Sequence, residues 1–279
     1  MSNSILITGA AGGMGKEASL VFARKGFRVF AVDLTLPSSG DSIVPLQADL
    51  TDPDQVHTLY EQVRSETDTL SAILHFAGIY RLNSLVEINP AEFRSVFTVN
   101  VGAAFLVNRT FLPMLRSGSK ILLLTSELAV RDPLPFTGLY AVSKAALDRY
   151  AYSLRMELQL LHISVSVLRA GAVDTGMLGT STNQLRTFCE KTQLYPVNAK
   201  RFQRIVERVE TRRVKPEAVA KKLYGIFCSK NPRFAYSINR NPLLILFDIL
   251  PTRIRCCLIR QILKPKDTAE QKKEPTQSD

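Results

Sequence analysis

Short apolar runs alternate with longer amphipathic stretches from residue 4 to about residue 170. Each short run is nearly continuous in apolar residues and ends at turn residues, which is typical of strands buried on both faces. The predicted strands are 4–8, 28–33, 43–47, 70–76, 120–126 and 164–169, and the helical patterns between them are 14–25, 53–66, 90–116 and 138–161. Strict alternation with short linkers predicts parallel βαβ units, and therefore a single doubly wound α/β domain with helices on both faces of a parallel sheet.

The pattern changes after Arg169. Residues 174–214 are polar, and we expect one or two helices there, over the C-terminal edge of the sheet. A last helix (216–229) and a last strand (233–238) follow. We therefore expect a main domain (1–240) with an insertion acting as a lid at about 176–214. An apolar-basic C-terminal segment (241–264) follows it, and then a tail (265–279) whose composition predicts disorder.

Charge is uneven along the chain. Its 279 residues include 36 Lys and Arg against 25 Asp and Glu, a formal net charge of +11. Residues 1–199 hold 17 basic and 17 acidic side chains, whereas residues 200–266 hold 17 basic and 4 acidic ones. A neutral body with one basic region predicts no nucleic-acid partner for the whole chain and leaves open a local contact with phosphates or anionic lipid.

The cysteines and histidines indicate whether the chain binds a metal ion and whether its thiols are oxidised. Four cysteines without a CxxC pair and three scattered histidines predict that there is no metal site. No secretory signal is visible ahead of the first strand, so we expect a cytoplasmic location and free thiols. The most apolar stretch, 243–250, has eight residues. It is too short to span a bilayer, which takes about 20 residues.

A glycine-rich segment, TGAAGGMG at residues 8–15, follows the first strand and opens a helix. Glycines there let the backbone turn and approach a pyrophosphate, whose charge then lies at the helix N-terminus. The loop positions expected to bind a dinucleotide are Gly9, Gly13, Met14 and Gly15. Asp33 ends the second strand, and a carboxylate there accepts hydrogen bonds from the adenosine ribose and repels a 2′-phosphate. NAD is therefore the predicted cofactor, with NADP disfavoured.

Tyr140 and Lys144 are four residues apart on a predicted helix, which places both on one face about one turn apart. A free phenol has a pKa of about 10 and is a weak base at neutral pH, and a nearby ammonium stabilises its ionised form. The pair predicts an acid–base group, Tyr140, whose pKa is lowered by Lys144 and which exchanges a proton with a substrate oxygen.

Together, TGxxxGxG and YxxxK resemble the motifs of the short-chain dehydrogenase/reductase family, in its shorter, single-domain branch. The resemblance implies a Rossmann fold of about seven strands, an NAD(P)-dependent enzyme acting on CH–OH groups, and a homodimer or homotetramer. It implies that Ser126 orients the substrate, that Lys144 also binds the ribose, and that Asn100 lies in a helix kink that anchors a relay water. Cofactor contacts are implied for Asp49, Leu50, Ala77, Gly78, Val173 and Thr175.

The sequence departs from the family pattern at two places. The serine of many relatives lies 13 residues before the tyrosine, where this chain has Glu127, and Ser126 lies 14 before. We favour Ser126 and leave Glu127 as a pocket or proton-transfer residue. The family's NNAG turn is replaced by His75-Phe76-Ala77-Gly78. We interpret His75 as a structural substitute, with a catalytic role as the alternative.

The C-terminal segment combines an apolar run (241–251) with a basic amphipathic stretch (252–264). Such a pair suits peripheral contact with an anionic membrane, or packing on its own domain or a second subunit. Its ending is loosely similar to that of family members acting on retinoid and steroid alcohols, which implies a lipophilic substrate.

The predicted function is NAD(H)-dependent interconversion of a primary or secondary alcohol and its aldehyde or ketone. The main alternative is a nicotinamide-binding sensor or scaffold without turnover. A sugar-nucleotide epimerase is disfavoured because neither its TGxxGxxG loop nor a larger sugar domain is seen.

Overall fold

A computed structural model describes residues 3–209 and 213–264 of the chain. Its strands are β1 (Ser4–Thr8), β2 (Arg28–Asp33), β3 (Ile43–Gln47), β4 (Leu70–His75), β5 (Leu115–Ser126), β6 (Ser164–Ala170) and β7 (Ala235–Ile238). They form one seven-stranded sheet in the order β3-β2-β1-β4-β5-β6-β7, and every neighbouring pair is parallel. The order reverses between β1 and β4, which places the main crevice at the carboxyl ends of those strands.

Ten α-helices are described. They are α1 (Gly13–Arg24), α2 (Pro53–Glu66), α3 (Pro90–Phe97), α4 (Ala103–Phe111), α5 (Gly138–Leu158), α6 (Gly176–Lys191), α7 (Pro196–Val209), α8 (Pro216–Cys228), α9 (Pro242–Ile249) and α10 (Thr252–Leu263). One apolar layer joins Leu6 and Ile73 of the sheet to α2, α4 and α5, and the opposite layer joins Ile5 and Ile7 to α1 and α8. The doubly wound α/β prediction is confirmed.

The helix predicted over 90–116 is interrupted. A π-helical turn at Thr98–Gly102 separates α3 from α4, and such a turn inserts one extra residue into the helical ladder. Pro113 lies in a short turn that ends this stretch, and β5 begins at Leu115 rather than at residue 120. Among the described residues, Pro90–Met114 is the one helical stretch with the length and composition to cross a membrane. Val96, Val107 and Phe111 of that stretch are fully buried in the protein, which accounts for part of its apolar composition.

The insertion after β6 forms α6 and α7, in agreement with the expected helices. They share a third apolar cluster with α10, and its buried members are Leu82, Leu185, Phe188, Cys189, Ala199, Phe202 and Leu263. Asn198 and Arg201 of α7 donate to the last carbonyl groups of α10, with 2.7 Å from Asn198 Nδ2 to the Leu263 oxygen. The insertion and α10 therefore pack as one unit. The tail predicted to be disordered, 265–279, lies outside the described residues.

Candidate active site

The glycine-rich loop lies between β1 and α1 at the crevice. Gly9 has a φ of +71°, and a Cβ there would lie 2.4 Å from the backbone nitrogen of Ala77. A Cβ on Gly15 would lie 2.1 Å from the Gly9 oxygen. Gly13 opens α1 opposite the Thr175 side chain, and Met14 follows it, half-buried. Side chains are thus excluded where the loop is tightest. The first N–H groups of a helix have no partner within it, so the start of α1 is suited to bind an anion.

Asp33, at the end of β2, lies against this loop. Its Oδ2 accepts a hydrogen bond from the Ala11 N–H at 2.9 Å, and its Oδ1 accepts one from the Leu34 N–H at 2.7 Å. The loop and the end of β2 are therefore fixed to each other by a carboxylate. The residue that follows is the exposed Leu34, so no cation adjoins the carboxylate in sequence.

Four of the residues predicted to contact the cofactor follow the ends of β3 and β4. Asp49 follows β3 and accepts hydrogen bonds from the backbone and the hydroxyl of Thr51, while Leu50 is buried. Ala77 and Gly78 follow β4, and a Cβ on Gly78 would lie 3.1 Å from both Asn100 Oδ1 and Lys144 Nζ. The turn after β4 therefore runs from the glycine loop to the buried lysine.

Tyr140, Lys144 and Ser126 meet at the end of β5. Tyr140 and Lys144 lie one turn apart on α5 and are both buried, and the Lys144 Nζ is 5.8 Å from the centroid of the Tyr140 ring. The Ser126 hydroxyl is hydrogen-bonded to the Tyr140 phenol and also accepts from the Leu128 N–H at 3.2 Å. A hydroxyl, a phenol and an ammonium are thereby collected in one buried pocket.

Burial dominates the protonation of this group. Desolvation raises the pKa of Tyr140 to about 12, against the lowering effect of the Ser126 hydrogen bond. Desolvation also lowers the pKa of Lys144 to about 8. The direction for Tyr140 is opposite to the lowered pKa expected from the sequence, because the cost of burying a charged phenolate outweighs the effect of the Ser126 hydrogen bond. The chain by itself holds Tyr140 as a neutral proton donor at neutral pH.

Asn100 lies in the π-helical turn, and its side chain is fully engaged. Its Oδ1 accepts from the Ile79 N–H at 2.7 Å, and its Nδ2 donates to the Ile79 oxygen and to the Ser143 hydroxyl at 3.0 and 2.9 Å. Ser143 precedes Lys144 on α5. The amide therefore fixes the turn after β4 to α5 beside Lys144. The π turn supplies the helix kink that the family resemblance implied for this residue.

The turn after β6 closes the crevice on the other side. Val173 is buried and pairs with Val214 as an isolated parallel bridge. Thr175 faces Gly13, with 3.1 Å between its Cγ2 and the position of a Cβ on that glycine. The turn after β6 and the first turn of α1 therefore form opposite walls of one cleft.

Ser126 and Glu127 have different surroundings. Ser126 bonds to Tyr140, whereas the buried Glu127 accepts a hydrogen bond from the Asn241 N–H at 2.9 Å and lies 3.6 Å from Arg131. Of the two positions weighed for the serine place, the geometry favours Ser126. Glu127 belongs instead to a contact with the C-terminal segment.

His75 has a partner that the sequence did not indicate. Its Nε2 lies 2.8 Å from Asn108 Oδ1, and Asn108 Nδ2 donates to the Tyr150 hydroxyl at 3.1 Å. Burial lowers the pKa of His75 to about 4, so it is neutral at physiological pH. This hydrogen bond from β4 to α4 supports a structural substitute for the asparagine turn.

Two further groups at the site were not found from the sequence. The Tyr80 ring packs edge-on against the Tyr140 ring, with 4.4 Å between centroids, and also borders the apolar cluster of the lid. Asp148, one turn beyond Lys144, accepts two hydrogen bonds from Arg169 at 3.0 and 2.7 Å and one from Thr125. Both depend on contacts between distant parts of the chain, which local spacing does not reveal.

The cleft has the features that a nicotinamide dinucleotide requires. The glycine loop offers a backbone cradle that a Cβ would fill, the first turn of α1 offers N–H groups, and Asp33 and Lys144 lie at its two ends. Within residues 3–209 and 213–264, no cluster of three or more His, Cys, Asp or Glu side chains suited to a metal ion is found.

Comparison with known proteins places this geometry in a family. Residues 3–186 match the model of the short chain dehydrogenase family. The uncharacterized oxidoreductase YbbO of Escherichia coli K12 is 30% identical over 262 residues, which cover 91% of this chain and 93% of that protein.

Solved structures agree with the sequence comparison. The 3-ketoacyl-(acyl-carrier-protein) reductase of Brucella melitensis, complexed with NADH, has a TM-score of 0.69 and 22% identity, covering 84% of this chain and 96% of that chain. A short chain dehydrogenase of Burkholderia cenocepacia J2315, in complex with NADP, has a TM-score of 0.71 and 20% identity, covering 95% and 100%. The chain belongs to the short-chain dehydrogenase/reductase family of oxidoreductases, whose members bind a nicotinamide cofactor.

Proposed function

We propose that this protein interconverts a primary or secondary alcohol and its aldehyde or ketone, using NAD(H). The observation that carries the proposal is the buried contact between the Ser126 hydroxyl and the Tyr140 phenol beside Lys144. A bound nicotinamide dinucleotide supplies or accepts the hydride. Ser126 and the Tyr140 phenol hold the substrate oxygen, and Tyr140 gives its proton to that oxygen during reduction and takes it back during oxidation. Lys144 and Asn100 are the proposed route by which the phenol is reprotonated.

NAD is the proposed cofactor because Asp33 is a negative charge held against the glycine loop by the Ala11 N–H. A carboxylate there accepts hydrogen bonds from ribose hydroxyls and repels a 2′-phosphate. The glycine loop (Gly9, Gly13, Met14 and Gly15) and the flanking residues Asp49, Leu50, Ala77, Gly78, Val173 and Thr175 are the proposed cofactor contacts.

A lipophilic substrate is proposed because the wall beside Tyr140 is apolar. Tyr80 joins the Tyr140 ring to the cluster containing Leu82, Phe188 and Phe202. A substrate needs one polar group, its reacting oxygen, to form hydrogen bonds with Ser126 and Tyr140. The rest of the substrate then meets aromatic and aliphatic side chains, whose burial contributes about 25 cal/mol per Å² of apolar area.

Tyr140→Phe tests the catalytic assignment. Removal of a general acid typically costs about 10² to 10⁴ in rate, so we expect turnover of ketones of graded chain length to fall by that amount while NADH binding stays nearly unchanged. Tyr152→Phe is the matched control, since this tyrosine lies on the same helix but is 47% exposed. A wild-type protein that binds NADH without oxidising it with any ketone or aldehyde would support the sensor or scaffold alternative instead.

A homodimer or homotetramer is proposed through α4 and α5. Phe105 of α4 and Met156 of α5 are 46 and 39% exposed, and large exposed apolar side chains mark association surfaces. Light scattering of the purified protein measures the mass in solution, and Phe105→Glu is expected to lower it toward the monomer.

Peripheral contact with an anionic membrane is proposed for the C-terminal segment, in a protein that we expect to be cytoplasmic. Leu243, Leu246 and Ile249 of α9 are 64, 65 and 74% exposed along one side of the helix. On α10, Ile254, Leu258 and Ile262 are exposed beside exposed basic residues. An apolar surface with adjacent cations suits an anionic interface. Sedimentation with phosphatidylserine vesicles at low salt, lost in Leu246→Glu, is the expected result, and a wild-type protein that ignores the vesicles would refute it.

A further inference from the structure

Glu127, the residue next to Ser126, turns away from Tyr140 and binds the C-terminal segment. Its Oε2 accepts the Asn241 N–H at 2.9 Å. Its Oε1 lies against Gly171, where a Cβ would be 2.9 Å away. The buried carboxylate is therefore enclosed by the turn after β6 on one side and by the chain entering α9 on the other.

The short stretch 238–241, here called the strap, contacts the turn after β6 and the Glu127 carboxylate. The Gly171 N–H donates to the Ile238 oxygen at 2.9 Å, and Asn239 Nδ2 donates to the Ala172 oxygen at 2.8 Å. Asn239 has a φ of +53°, and its carbonyl oxygen would lie 2.0 Å from a Cβ on Gly171. The strap thus fits only against glycine on the wall that continues to Val173 and Thr175, and its other end is held by Glu127.

The Glu127 end of this contact is ionic and buried. Arg131, four residues after Glu127, has a side chain only 3% exposed. It forms one ion pair with Glu127 and a second with Asp248 of α9. Among the described residues, neither Nε nor Nη2 of Arg131 makes a hydrogen bond. The position of this guanidinium therefore depends on the two carboxylates, and removing one leaves a buried charge poorly compensated.

We propose that Glu127 is a positioning residue, which fixes the turn at 171–175 relative to Ser126 by holding the strap that packs on Gly171. This inference rests on the proposed function, which assigns the substrate oxygen to Ser126 and cofactor contacts to the turn at 171–175. A displacement of about 1 Å between reacting groups can cost about 10²-fold in rate. Loss of the Glu127 contact is therefore expected to lower kcat more than it changes substrate or cofactor binding.

Glu127→Gln and Asp132→Asn form a matched pair for the test. Glutamine keeps the size of Glu127 and an acceptor for Asn241, but removes the charge that faces Arg131. Asp132 forms the neighbouring ion pair with Arg255 of α10 at 2.6 Å, but its side chain is 69% exposed. For E127Q we expect kcat to fall by about tenfold or more with NADH affinity and the KM of the ketone within about twofold, and D132N to match the wild type. Equal activity of E127Q and wild type, or an equal loss in D132N, would overturn the proposal.

Amide hydrogen exchange provides a readout that does not depend on turnover. If Glu127 fixes the turn at 171–175 through the strap, E127Q should accelerate exchange at 126–131 and at 171–175 as well as at the strap. Faster exchange confined to 241–248 would mean that Glu127 only anchors α9, and would contradict the proposal. A wild-type protein without ketone reductase activity would refute the proposed function alone, and the exchange result would still decide the role of Glu127.

Discussion

Lys144 is a buried cation beside Tyr140, the proposed proton donor. Desolvation lowers its pKa from 10.5 to about 8, and its side chain lies among α5, the turn after β4 and Tyr140. We predict that Lys144→Met stabilises the protein at neutral pH while it abolishes turnover. Methionine has similar length and no charge, so it fills the same space without the desolvation cost.

The size and sign of the effect follow from the pKa. The unfolded chain holds the Lys144 proton more tightly than the folded chain does, so the charged lysine favours unfolding below about pH 8. A shift of about 2.5 units corresponds to about 3 kcal/mol in the free energy of unfolding at about pH 7. The penalty disappears as the pH rises from about 8 toward 10.5, because the folded protein then loses the charge first. At about pH 9.5 the advantage of the variant should shrink by about 2 kcal/mol.

Urea unfolding of the wild type and K144M at the two pH values measures this difference directly. Both pH values lie below the pKa of Tyr140, which burial raises to about 12, so ionisation of the phenol contributes little to the comparison. We expect the variant to be more stable at about pH 7 and the gap to narrow at about pH 9.5. A variant that is less stable than the wild type, or a gap independent of pH, would refute the assignment of desolvation as the cause.

Three further predictions address the cofactor, the acid stability and the core of the site. Asp33→Asn should raise the ratio of kcat/KM for NADPH to that for NADH by about tenfold, and an unchanged ratio would contradict the role of the Asp33 charge. Between about pH 6.5 and 4.5 the wild type should lose about 2 kcal/mol in the free energy of unfolding, because the unfolded chain protonates His75 and the folded protein, with a pKa of about 4, does not. His75→Asn should abolish this part of the acid sensitivity. Equal acid sensitivity of both proteins in urea unfolding would refute this. Asp148→Asn should lower the free energy of unfolding by about 3 kcal/mol, because the half-buried Arg169 loses its charged bidentate partner; a loss below about 1 kcal/mol would count against it.

The strands and helices up to β6 could be predicted because their periodicity is local, and the parallel order follows from their alternation. The start of β5 at Leu115 was missed because the polar residues 116–119 hide a pairing with β4 that only the folded sheet reveals. The π turn around Asn100 has no signature in the local composition, so only the resemblance to the family pattern predicted a helix kink there. Glu127 was left without a partner because the Asn241 N–H that it binds lies 114 residues away. Contacts between residues so far apart in sequence are set by tertiary packing, and the local spacing of residues does not reveal them.

The protonation state of the buried pair also predicts how each reaction direction depends on pH. In the proposed mechanism, reduction uses the proton that Tyr140 already holds, and burial keeps this phenol neutral throughout the physiological range. Oxidation by the same mechanism requires the ionised phenol, whose fraction rises with pH while the pH stays below the pKa. From about pH 6 to 8 we therefore expect kcat/KM for ketone reduction to stay level and kcat/KM for alcohol oxidation to rise with pH. Rate profiles in both directions test this, and a reduction rate that falls over that interval would show that a group other than the Tyr140 phenol supplies the proton.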